Sequence, residues 1–86
     1  MSDEYWHSYG FVKASYLRMN VLNALSYGPV TPGAISSVVR KPPSHVSNAL
    51  RELVEEGLVV CRTPELRKGR LYELTELGRR ILASID

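Results

Sequence analysis

Between residues 11 and 25 the apolar side chains Val12, Tyr16, Leu17, Val21, Leu22 and Leu25 recur three and four positions apart, with no proline or glycine among them. That spacing gathers them on one face of an α-helix and predicts a first helix over this stretch. Gly28-Pro29 supplies its end and a turn. Val30 is a candidate for a very short strand. Thr31 is placed to cap a second helix whose first residue is Pro32, since proline at that position loses no needed hydrogen bond. This helix runs to about Val39 and is expected to bury Ile35, Val38 and Val39. Arg40-Lys41-Pro42 breaks the pattern. Pro43 restarts it, and Val46, Ala49, Leu50, Leu53 and Val54 keep helical spacing to residue 56, with Gly57 as the left-handed residue beyond the end. Two helices joined by so short a turn form a helix-turn-helix.

Residues 58–63 and 70–74 are short and rich in β-formers, and the stretch between them carries proline, glycine and charge. A β-hairpin with a basic loop is expected. Thr75 then caps a last helix, with Glu76 in its first turn, where negative charge suits the helix dipole, and Leu77, Ile81, Leu82 and Ile85 as its apolar stripe. The expected fold is α+β, mainly α, in the order helix, short strand, helix, helix, two strands, helix. At 86 residues it should be one domain spanning 1–86.

This order and its residues resemble the winged helix-turn-helix transcription regulators of the ArsR and MarR type, particularly small archaeal members. The resemblance runs from about Arg18 to Leu82. It is carried by Ile35, Val39, Val46-Ser47, Leu50, Leu53 and Gly57-Leu58-Val59, then by Tyr72-Glu73-Leu74-Thr75 and Gly78. It implies that residues 43–56 are a recognition helix and residues 62–70 a wing. The chain departs from the pattern at Pro42-Pro43, where a polar cap is usual, and at Lys41, commonly apolar. The two prolines remove N–H groups that could hold a phosphate. That duty then falls to Lys41, Ser44 and His45.

Burying Val46, Leu50 and Leu53 leaves Ser44, Ser47, Asn48 and Arg51 as one stripe on the opposite face. By itself such a stripe is the wet side of any surface helix. Its residue types, however, are those that read base edges in a DNA major groove: arginine bidentate to guanine, asparagine bidentate to adenine, serine to several partners. Its amino-terminal half lacks acids, and Glu52, Glu55 and Glu56 gather toward the other end. Ser44, Ser47, Asn48 and Arg51 are therefore the candidate base contacts. Lys41, His45, Arg67, Lys68 and Arg70 are the candidate contacts to the DNA backbone, with the wing on phosphates or in the minor groove.

The net charge of +2 does not by itself identify a nucleic-acid binder. Its distribution is more informative: residues 40–70 hold seven basic and four acidic side chains, a net +3, while the rest of the chain holds four and five, a net −1. Hydrophobic residues at 44% and charged residues at 23% suit a folded globular chain and exclude the composition of disorder. Apolar runs of only a few residues leave no membrane span or signal segment, so a cytoplasmic location is expected.

Enzymatic constellations are missing: there is no phosphate-binding glycine loop, no His/Cys pair at metal spacing and no acid or base beside Cys61 or the two histidines. No catalytic residue, metal or cofactor is expected. The cysteine pair typical of metal-sensing ArsR proteins is absent as well. The single Cys61, in an apolar run, reads as a small buried hydrophobe.

Tyr5, Trp6, Tyr9 and Phe11 concentrate aromatic surface in the first eleven residues, more than so small a chain can bury. They are the expected contacts of a homodimer. Double-stranded DNA is the expected partner. A winged helix serving as a protein-interaction module is the alternative, and RNA binding a third possibility.

Overall fold

The computed structural model describes residues 3–85, so that Met1, Ser2 and Asp86, the ends of the expected 1–86 domain, lie outside the described residues. Five helices and one antiparallel pair of strands follow in the order α1 (Asp3–Lys13), α2 (Tyr16–Ala24), α3 (Pro32–Val39), α4 (Pro43–Glu55), β1 (Val59–Cys61), β2 (Tyr72–Leu74) and α5 (Glu76–Ile85). This is the expected mainly helical winged helix-turn-helix, with one helix more at its front.

That extra helix corrects the sequence reading. Residues 11–25 do not form one helix; Phe11 and Val12 belong to α1, and the chain breaks at Ala14-Ser15. Ser15 takes an extended conformation (φ −144°, ψ 122°) and its side chain accepts from the Arg18 N–H at 3.2 Å, capping α2. No proline or glycine marks the break, so the apolar period runs through it. The aromatic segment before residue 11 is helical too, and α1 packs on α2 and α5.

Local chemistry sets the ends of α3, α4 and α5 close to where the sequence places them, while the strands, expected over residues 58–63 and 70–74, are shorter, Val59–Cys61 and Tyr72–Leu74. The Thr31 hydroxyl accepts from Ala34 N–H at 3.2 Å at the start of α3, and Gly57 beyond α4 has φ 78°. At the start of α5 the Thr75 hydroxyl accepts from Gly78 N–H at 3.0 Å and donates to the Gly57 carbonyl at 2.7 Å, tying the end of α4 to α5. Gly78 is buried, and a Cβ there would run into the Leu58 carbonyl oxygen, which already accepts from Thr75 N–H. The Thr75-x-x-Gly78 spacing thus records a close crossing of α5 over the entry to β1.

The core joins Val12, Val21, Leu22, Leu25, Ile35, Val46, Ala49, Leu50, Leu53, Leu58, Val59, Leu74 and Ile81. Each fully buried Leu, Ile or Val in it contributes about 1.5–3 kcal/mol relative to exposure. Three apolar residues depart from expectation. Val38 is 69% exposed because α3 turns only the Ile35 side fully inward, Tyr16 at the first turn of α2 is 83% exposed, and Val54 is 39% exposed. Cys61, expected to be buried, is only partly so: it ends β1, where the hairpin leaves the core.

Candidate nucleic-acid interface

The turn between α3 and α4 is held by one serine. Arg40 sits in the left-handed region (φ 58°, ψ 47°), a conformation that costs a non-glycine residue about 1–2 kcal/mol. The cost is offset locally: Arg40 N–H and Lys41 N–H both donate to the Ser36 carbonyl, at 2.9 and 3.4 Å, and the Ser36 hydroxyl donates to the Lys41 carbonyl at 2.6 Å. From this turn α4 starts on Pro42-Pro43 with no side-chain cap, its first bonds running from His45 and Val46 N–H to the Pro42 carbonyl. Lys41 and His45 stand exposed at this corner, and no ion pair is recorded for either among the described residues.

Val46, Ala49, Leu50 and Leu53 are all buried, which fixes the rotation of α4 about its axis. Ser44, Ser47, Asn48 and Arg51 are consequently all exposed. The three acids at the end of this helix separate. Glu52 accepts from Arg18 of α2 at 3.3 Å, and Glu56 lies 3.6 Å from His7 of α1, so both turn toward the helices behind. Only Glu55 shares the outer face, 3.4 Å from Arg51 with both side chains well exposed. An exposed pair of this kind contributes little and is easily exchanged for another anion.

The wing reaches the same face through a single backbone bridge. Val30 and Tyr72 exchange N–H···O bonds, each 2.9 Å, so the lone strand residue before α3 pairs with the first residue of β2. This brings the start of α3 against the wing. A cleft of about 480 Å³ opens between them, lined by the cap Thr31 with Pro32 and Gly33 of α3, Ser47 of α4, and Arg67, Lys68, Gly69, Arg70 and Tyr72. Three cations of the wing thus line the same cleft as the Ser47 hydroxyl of the exposed α4 stripe. A second hollow, of about 380 Å³, lies on the other side of Arg70 and Tyr72 and includes Arg51, Glu55 and Cys61.

Within the wing the basic residues differ in their engagements. Arg62 Nε donates to Glu73 across the hairpin at 2.5 Å. Arg70 is bound to its own loop: Nε donates to the Leu66 carbonyl and Nη2 to the Pro64 carbonyl at 3.3 Å. No ion pair is recorded for Arg67 or Lys68 among the described residues. Sequence reasoning missed the cleft-lining roles of Thr31, Pro32, Gly33 and Tyr72. The cap-and-proline start of α3 was visible, but its place beside the wing follows from the Val30–Tyr72 bridge, which pairs residues 42 positions apart.

The four aromatics proposed as dimer contacts do not share one face. Tyr5 is 7% exposed, its hydroxyl placed against the Arg80 carbonyl and the Ser84 hydroxyl of α5. The chain therefore covers this ring itself. Phe11 lies under the Arg18 guanidinium, 3.8 Å from ring centroid to Cζ, and Arg18 also donates to the Phe11 carbonyl at 2.9 Å. Trp6 is 55% exposed and meets Tyr5 and the partly buried Tyr9 edge-on at 5.3 and 5.6 Å. Among the described residues no three His, Cys, Asp or Glu side chains gather as a metal site, and no helix is long and apolar enough to cross a membrane.

A helix-turn-helix with an exposed polar stripe, followed by a basic wing folded beside it, defines a winged-helix domain of transcription regulators. The family model described as the N-terminal domain of the methanogenesis regulatory protein FilR1 matches residues 9–85, and the chain belongs to that family. It is 34% identical over 62 residues to a protein of Bacillus subtilis (strain 168) described as the uncharacterized HTH-type transcriptional regulator YdgG, covering 69% of this chain and 41% of that one. Among solved structures it resembles a MarR family transcriptional regulator from Silicibacter pomeroyi (TM-score 0.76, 30% identity, 92% of this chain and 54% of that one). It likewise resembles the MarR family regulator NMB1585 from Neisseria meningitidis (TM-score 0.77, 29% identity, 88% of this chain and 55% of that one). The chain therefore spans 41–55% of the length of these three proteins.

Proposed function

We propose that this chain is a single domain that binds double-stranded DNA sequence-specifically and so regulates transcription. In this reading α4 enters the major groove and the wing lies on the backbone or in the minor groove. The observation that carries it is the juxtaposition of an exposed Ser47, Asn48 and Arg51 stripe, rotationally fixed by the core, with a cleft lined by Arg67, Lys68 and Arg70. Base-reading donors and acceptors next to cations are what a duplex edge requires. Lys41 and His45 extend the cationic margin at the start of α4. The site is one of binding, not of catalysis, with no cofactor, and the domain works in the cytoplasm.

Selection of bound sequences from a random duplex pool tests the reading. Enrichment of a defined site, with affinity falling steeply as salt rises, is the expected result. Binding that ignores duplex DNA and captures only protein, or that prefers single-stranded or A-form RNA, would overturn it.

The domain acts as a homodimer in this proposal, with Trp6 and Tyr9 the aromatics best placed to meet a partner. The selected site should then be an inverted repeat with half-sites about 10 base pairs apart, or a multiple. Removing residues 1–9 would also take Tyr5 from the core, so Trp6→Ala is the cleaner probe. Light scattering should show a dimer for the intact chain and a weakened dimer for this variant; a monomeric intact chain would sink the dimer.

A further inference from the structure

The loop joining the two strands of the wing contains no regular secondary structure, yet its tip is closed by a set of bonds. Arg62 N–H donates to the Leu71 carbonyl at 2.8 Å, Leu71 N–H to the Thr63 hydroxyl at 2.9 Å, and Leu66 N–H to the Thr63 carbonyl at 3.1 Å. Beyond this last turn the strand-like rungs stop. Gly69, with φ 67°, reverses the chain so that the Arg70 side chain comes back over the tip. Its guanidinium then bonds the carbonyls of Leu66 and Pro64, the two residues that precede Arg67 by one and three positions.

We propose that Arg70 is a positioning residue. Its guanidinium clasps the wing tip and thereby holds Arg67 and Lys68 over the cleft opposite Ser47 and the start of α3, instead of taking a DNA phosphate itself. The chemistry favours arginine for this duty. A planar guanidinium offers donors in fixed directions and can hold two carbonyls of one turn together, whereas an ammonium group carries the same charge on a flexible stem without that fork. Arg67 and Lys68 sit on a segment with no core contact of its own, so a clasp is what reduces the freedom they would otherwise lose on meeting a phosphate. This assignment rests on the reading of the cleft as the place where the wing meets the DNA backbone.

Arg70→Lys separates the two roles, because it keeps the charge and removes the fork. The variant is compared with the intact domain in duplex binding, once in the natural chain and once in a chain carrying Arg67→Ala and Lys68→Ala. A clasp acting through its neighbours predicts that Arg70→Lys weakens binding about fivefold in the natural chain, and less than about twofold once Arg67 and Lys68 are gone. Affinity unchanged by Arg70→Lys, or an equal loss in both chains, would overturn the proposal. A second measurement needs no DNA: in the free domain the Arg70 Nε–H, read by nuclear magnetic resonance, should exchange with solvent more slowly than the Arg67 Nε–H. Equal exchange rates would remove the clasp. Should the intact domain bind no duplex at all, the DNA-binding reading fails, and this exchange rate alone decides whether Arg70 closes the wing.

Discussion

Helix α4 and the wing present polar and basic side chains to the same face, but they are aimed by different forces. Along α4, Val46, Ala49, Leu50 and Leu53 are no more than 2% exposed, and their burial sets the direction of Ser47, Asn48 and Arg51. In the wing every residue from Pro64 to Arg70 is exposed, and its shape rests on hydrogen bonds and one left-handed glycine. Burial is worth more than exposed hydrogen bonds, which exchange with water, so the helix is the stiffer element and the wing the one that opens first. A stiff helix can hold a bidentate geometry against a base edge. A looser wing is better suited to phosphates, which are alike at every step of the duplex.

The largest effect should come from loosening the helix itself. Leu50→Ala removes a core side chain that is 2% exposed and should cost about 2–5 kcal/mol of stability in urea or thermal unfolding. A loss below about 1 kcal/mol would mean that the core does not fix the rotation of α4. Next come the residues proposed to read bases. Asn48→Ala and Arg51→Ala should leave stability nearly unchanged and each remove about 1–3 kcal/mol of discrimination at particular base positions, measured by titrating preferred and scrambled sites. The smallest effects belong to the wing: Arg67→Ala and Lys68→Ala should weaken all sequences about equally, and each should reduce the salt slope by about one unit, the share of one phosphate no longer neutralised. If Arg67→Ala altered base preference while Asn48→Ala and Arg51→Ala left it intact, the wing would be the reader and the contrast between the two elements would be reversed.

Much of this arrangement was legible because it is written in short-range chemistry. Thr31, Pro32, Gly57 and Thr75 mark element ends through bonds and conformations spanning a few residues, and each lies where the structure uses it. The polar stripe of α4 follows from the position of its apolar residues alone. The split between α1 and α2 escaped because Val12 and Tyr16 preserve the helical period across it, and Ser15 resembles any other serine until its hydroxyl is seen capping Arg18 N–H. Val38 escaped for the opposite reason: its spacing is that of a core residue, but its side of α3 is left exposed while Ile35 is buried.

The sequence by itself determined where α3, α4 and α5 start and stop, which side of α4 is apolar and where basic residues concentrate, since each depends on residues close together in the chain. Tertiary structure alone decided that Tyr5 is covered by α5 and that Glu52 and Glu56 turn away from the exposed stripe of α4 toward the helices behind it. It also decided that the cleft exists, because the Val30–Tyr72 bridge sets the start of α3 beside the wing. These outcomes depend on which surfaces meet once the chain has closed on itself, and no local pattern of apolar and polar positions encodes the partner across that distance.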